Sequence, residues 1–133
     1  MRFDPLPYLR IGYRHLGRGW HQGDCWNLVQ RFYERELGIA LQEFTEYAEN
    51  WADEGLNFLE ELPPTRGFVP ADPPRFGDLV VFRYRGRVYH CGVALEPPYF
   101  LHTHLTGTSI HDFYTGTWAR RLHAVWRHRQ RDL

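Results

Sequence analysis

Cys25, His90 and His102 are the residues of this 133-residue chain whose types and order suit covalent catalysis. A cysteine sulfur attacks an electrophilic carbon as the thiolate, and a histidine on a separate element can take its proton and later return it. The setting of Cys25 favours the charged form. Gly23-Asp24-Cys25 opens a stretch in which Leu28, Val29, Phe32, Tyr33 and Leu37 keep helical spacing, and Gly38 supplies a stop. Asp24 is a good N-cap, so Cys25 falls in the first turn, where backbone N–H groups and the helix dipole favour an anion. A buried, inert cysteine is the plainer interpretation of any one cysteine. The cap, the helix start and the later histidines together favour catalysis.

The elements that must position these residues follow from the pattern around them. Phe3 to Leu9 is broken by prolines and expected to be extended, and Ile11 to Gln22 to be a loop leading into the Cys25 helix. A second helical stretch is expected from about Gln42 to Leu62, with Phe44, Tyr47 and Trp51 near helical period, stopped by Pro63-Pro64. Thr65 to Pro74 has the composition of a connector. From Gly77 the pattern turns to strands: Asp78 to Tyr84, a turn at Arg85-Gly86, then Arg87 to Leu95, Tyr99 to His104, a short candidate after Gly107, and Leu122 to Arg127 closing the sheet. Helices followed by strands predict an α+β domain with an antiparallel sheet. Strand alternation groups His90 with Gly92 and Ala94, and sets Tyr89, Cys91, Val93 and Leu95 on the opposite face. His102 and His104 share a face of the next strand, and either suits the task of orienting His90. Cys91, turned away, is expected to be core.

Composition sets bounds on function. Sixteen basic and sixteen acidic residues cancel, so no overall field draws the protein to nucleic acid. The basic run Arg127-His128-Arg129-Gln130-Arg131 is most simply a solvated terminus. Hydrophobic residues at 43% and aromatic residues at 17% predict a packed globule of one domain, residues 1–133, with a helical insertion at about 42–74. Two cysteines do not make a disulfide framework. The N-terminus lacks an apolar stretch of signal-peptide length and no segment is long enough to span a membrane, so no membrane insertion is expected.

Gly23-Asp24-Cys25-Trp26-Asn27-Leu28-Val29, Gly77-Asp78-Leu79-Val80-Val81-Phe82, His90-Cys91-Gly92-Val93 and Phe100-Leu101-His102 resemble, in order, the motifs of the NlpC-type cysteine peptidases. These papain-like enzymes cut peptide bonds in bacterial peptidoglycan. The resemblance covers Tyr13 to His104, and the ordered set is more specific than any one motif. It implies Cys25 as nucleophile, His90 as general base and His102 as the orienting third residue, with stem peptides as substrate and no cofactor or metal. Tyr13 matches a loop tyrosine near the oxyanion position, and Asp24 the acidic residue that helps hold the peptide. Two departures stand out: Trp26-Asn27 replaces the usual Ser-Gly, and Gly17-Arg18-Gly19 replaces a Gly-Gly pair. A tryptophan after the cysteine is similar to the bacteriophage tail members of the family. That likeness implies other tail proteins as partners, and a location in the virion or in the host cytoplasm before assembly.

Two other functions suit the same residues. One is a structural tail-assembly protein that keeps the peptidase fold with little hydrolytic role. The other is a metal site of Cys25, His90, His102 and His104, which lacks any close ligand pair of the Cys-x-x-Cys kind. His15, His21, His111, His123 and His128 are expected in loops or on the surface.

Overall fold

The computed structural model of the protein describes residues 3–42 and 67–131. The chain opens on α1 (Leu6–Leu9), a short helix where extended backbone was expected. Pro7 sits in its first turn, where a missing N–H breaks no helical bond, and the Asp4 carboxylate accepts from the Leu6 N–H at 3.1 Å. Within the expected loop, β1 (Gly12–Tyr13) and β2 (Gln22–Gly23) form a small parallel pair.

The helix α2 (Cys25–Phe32) begins where the cap predicts: the Asp24 carboxylate accepts from the Asn27 N–H at 3.0 Å. It widens into a π-turn over Tyr33–Leu37 and stops at Gly38, whose φ of 67° is left-handed backbone that glycine adopts at little cost. Trp26, Leu28, Val29, Phe32 and Tyr33 are buried, and α2 packs against the middle of the sheet. Burying each large apolar side chain contributes about 1.5–3 kcal/mol, so this face fixes the helix more firmly than propensity does. The helical stretch expected from 42 to 62 lies outside the described residues.

The sheet has six strands: β3 (Phe68–Pro70), β4 (Leu79–Tyr84), β5 (Arg87–Ala94), β6 (Tyr99–His104), β7 (Gly107–Asp112) and β8 (Leu122–His128). Their spatial order is β3-β8-β4-β5-β6-β7, and every neighbouring pair is antiparallel. The α+β class expected from the element order is therefore the architecture found. Two details differ from expectation. Residues 68–70 of the proline-rich connector form an edge strand, a position where proline removes no ladder bond. And β8 lies between β3 and β4 rather than closing an edge. Between β7 and β8 runs a short helix, α3 (Gly116–Arg121).

The basic C-terminal run is not a solvated tail. Arg127 grips Asp78 with Nε–Oδ1 at 2.9 Å and Nη2–Oδ2 at 2.7 Å, and Arg131 Nη1 reaches Oδ1 at 3.0 Å. Asp78 is fully buried, and a carboxylate there is tolerable only because it is paired and hydrogen-bonded. This cluster ties β8 to the start of β4. His128, expected at the surface, is buried too, with its ring edge-on to Phe68 at 5.0 Å.

Candidate active site

Cys25 stands at the first position of α2, only 3% exposed, where the helix meets β5. Its sulfur lies near the Cys91 thiol and the Tyr89 side chain. Those two residues flank His90 in sequence. Burial pushes the Cys91 thiol well up, and the neighbouring Cys25 adds to the shift, so Cys91 stays protonated near neutral pH. Cys91 is core, as expected, and also a neighbour of the candidate nucleophile.

His90 is fully buried on β5. Its Nε2 lies 2.7 Å from Nδ1 of His102 on β6, and His102 Nε2 lies 2.7 Å from Nδ1 of His111 on β7. Of the two histidines that the sequence offered as orienting residue, His102 makes the bond. His104 stands beside the pair, its ring 4.9 Å from that of His90. Trp118 of α3 covers the cluster, 5.3 Å from His90 and 4.8 Å from His102 between ring centres. Desolvation lowers His90 well below the ordinary imidazole range, helped by the histidines around it, and takes His102 down to about 3. His90 and His102 are then neutral at neutral pH. Each must donate from one nitrogen and accept at the other, so one consistent arrangement runs Nε2–H of His90 to His102, then Nε2–H of His102 to His111. In it Nδ1 of His90 carries a lone pair, the state a general base needs.

The strand geometry explains why these rings meet. The β4–β5 pairing slips between Phe82 and Arg83, so that Phe82 faces His90, Arg83 faces Val88, and Tyr89 is the extra residue of a β-bulge. The strict alternation expected for Tyr89 is broken there. Its ring lies 5.8 Å from that of His90 and 6.4 Å from that of His104, and its hydroxyl accepts from Arg121 Nη1 at 2.8 Å.

The loop before Cys25 is organised from two sides. Asp24 is 1% exposed: beyond its capping bond, it accepts from the Leu16 N–H at 3.1 Å and from Arg18 Nη1 at 3.0 Å. Asn27 grips Gly19, accepting from its N–H at 2.8 Å and donating to its carbonyl at 3.1 Å. The Asn27 side chain is thus the clamp for the Gly17-Arg18-Gly19 loop. Tyr13, half-buried on β1, pairs with Gly23 two residues before Cys25. Among the described residues, no group of three or more histidine, cysteine or acidic side chains is placed to hold a metal ion.

The NlpC/P60 family pattern matches residues 10–127. The chain belongs to the NlpC/P60 family. It is 29% identical over 120 residues to the tail tip assembly protein K of Escherichia phage lambda, an alignment covering 86% of this chain and 60% of that protein. The matched stretch spans about three fifths of that relative's length. Among solved structures, an NlpC/P60 family protein from Bacillus cereus superposes with a TM-score of 0.64 at 17% identity, covering 91% of this chain and 36% of the other. The NlpC/P60 domain of the peptidoglycan hydrolase SagA superposes at 0.54 and 15% identity, over 81% of this chain and 82% of that one. At such identities the superpositions speak for the papain-like α+β fold alone.

His111 belongs to this cluster although its sequence context does not single it out. Set among loop and surface histidines, it is exposed on the edge strand β7, yet its inner nitrogen meets His102. Its place follows from the β6–β7 register, which sets Phe100 opposite His111 and so puts His111 diagonal to His102. The signal was there in the alternation of β7, but only the pairing register gives it meaning.

Proposed function

We propose that the protein is a cysteine peptidase that hydrolyses peptide bonds in the stem peptides of bacterial peptidoglycan, as a component of a bacteriophage tail. The observation that carries the chemical part is the 2.7 Å contact of His90 with His102, on the strand that α2 meets with Cys25 at its first turn. With Nε2 of His90 committed to His102, Nδ1 is the nitrogen that takes the thiol proton. The Cys25 sulfur then attacks the amide carbonyl, and N–H groups at the start of α2 receive the negative charge on oxygen. His90 returns the proton to the leaving amine, and water, deprotonated by the same nitrogen, hydrolyses the thioester. The family resemblance assigns Tyr13 to the oxyanion side. Asp24, turned inward, serves substrate binding by shaping residues 16–18 rather than by an open carboxylate.

The likeness to the lambda protein supports the tail assignment, under which this protein works in the virion among other tail proteins. The same relative's name, which speaks of assembly, favours the second reading: a tail component of peptidase fold with little hydrolysis. Turnover of a purified muropeptide by the wild type and by Cys25→Ala, His90→Ala and His102→Ala decides between them. The peptidase reading expects loss in the first two and partial activity in the third, and it fails if the wild type is inert or if Cys25→Ala keeps full activity. Mass spectrometry of purified virions tests the location.

A further inference from the structure

The hydrogen-bonded imidazoles do not end at the third residue of the expected triad. His102 spends its second nitrogen on His111, and His111 alone of the three rings is exposed. A third residue that orients a base must present one defined nitrogen to it. An imidazole has two, and either can carry the proton, so something has to fix its tautomer. Buried at 1% exposure, with Phe100 stacked on it at 4.4 Å and Trp118 across its edge at 4.8 Å, His102 meets His111 at Nε2.

We infer that His111 is a positioning residue of the catalytic site: by accepting the Nε2 proton of His102 it keeps Nδ1 of His102 bare, so that His102 can accept from His90. No proton moves along the chain in this role. When His90 takes the thiol proton at Nδ1 it becomes an imidazolium, and its Nε2–H bond to His102 strengthens because a charged donor faces a lone pair held ready. Without His111 the tautomer with Nδ1 protonated becomes available to His102. That tautomer sets two donors against each other at the His90 contact once His90 is charged. The other groups facing this cluster are His104 from the same strand as His102, Tyr89 from β5 and Arg121 from α3, the last adding positive charge. A lone pair turned toward His102 therefore suits the outer position better than a further cation.

This inference rests on the peptidase reading of Cys25 and His90, and the test separates the two. His111→Ala removes the acceptor, while His111→Asn restores one, because the amide oxygen of asparagine occupies about the place of Nδ1. Both changes fall on an exposed edge-strand position and leave the core intact. In muropeptide hydrolysis, His111→Ala is expected to lower kcat about tenfold, the effect of one net hydrogen bond, with KM within about twofold. His111→Asn is expected to recover most of the loss. Ring nitrogen shifts of His102, read by NMR on 15N-histidine protein, are expected to report Nε2–H in the wild type and in His111→Asn, and a mixture in His111→Ala. An unchanged His102 tautomer in His111→Ala, or an asparagine variant no better than alanine, overturns the inference. If the wild type hydrolyses nothing, the peptidase reading falls, and the NMR comparison still decides the role of His111.

Discussion

A Cβ on Gly92 would stand 2.7 Å from the carbonyl oxygen of Leu101 and 2.9 Å from Cβ of His102. Bare backbone at Gly92 therefore lets β6 come close to β5 just where the His90 and His102 rings must meet. Gly92→Ala is expected to push the strands apart, at a cost of at least the ~1–3 kcal/mol typical of overpacking, and to depress hydrolysis beyond any loss of folded protein. Urea unfolding gives the first effect, and activity per folded molecule gives the second. A variant as stable and as active as the wild type would mean that the close approach is not required.

The two thiols are expected to differ in reactivity although both are buried. Burial holds Cys91 in its protonated form near neutral pH, and a thiol is a poor nucleophile. Iodoacetamide at pH 7 should label native protein once, at Cys25, and denatured protein twice. Peptide mapping locates the label. Modification of Cys91 in the native protein, with Cys25 spared, would remove the basis for treating Cys25 as the poised residue.

Stability is expected to fall on acidification. His90, His102 and His104 all have folded pKa values depressed by burial, His102 to about 3, against roughly 6.5 in an unfolded chain. Between those limits the unfolded chain binds more protons than the folded one, so stability is full above about pH 6.5 and is lost as pH drops toward 3. One such histidine contributes a slope of at most about 1.4 kcal/mol per pH unit. Carboxylates titrate over part of the same range, so the deciding quantity is the difference in slope between the wild type and His104→Leu, measured by urea unfolding at pH 7, 6, 5 and 4. Equal slopes would contradict the burial of a neutral ring at position 104.

What was legible in the sequence was local or periodic. The Asp24 cap, the Gly38 stop and the Arg85-Gly86 hairpin turn each depend on a few adjacent residues, and the strand runs on alternation. Cys25, His90 and His102 could be named because their order matched a known set of motifs, and the structure sets His90 and His102 2.7 Å apart. What was hidden depends on register. The bulge at Tyr89 breaks the alternation from which its facing was inferred, and the β6–β7 register gives His111 its partner. The pairing of Asp78 with Arg127 joins residues 49 apart in sequence, and composition alone made those arginines look like a tail. Asn27 is a similar case, since a polar residue inside a helix gives no sign of the loop it will clamp.

The Asp78–Arg127 pair yields the sharpest stability prediction. Both partners are buried, Asp78 entirely and Arg127 to 8% exposure, so removing one leaves the other charge without compensation in a poorly solvated place. Asp78→Ala strands Arg127 and also frees Arg131 and the Arg75 N–H that the carboxylate accepts at 2.7 Å. The expected loss is about 3–5 kcal/mol, much larger than for an exposed ion pair. Asp78→Asn keeps two hydrogen-bonding atoms of the same shape and should cost less, though an amide nitrogen facing a guanidinium must give up one of the two bonds. Arg131→Ala, at the more exposed member, should cost the least, on the order of 1 kcal/mol. The ranking Asp78→Ala, Asp78→Asn, Arg131→Ala can be read from urea midpoints at pH 7 with the unfolding slope held constant. A loss in Asp78→Ala no larger than in Arg131→Ala would mean that the cluster is a surface contact and does not anchor β8 to β4.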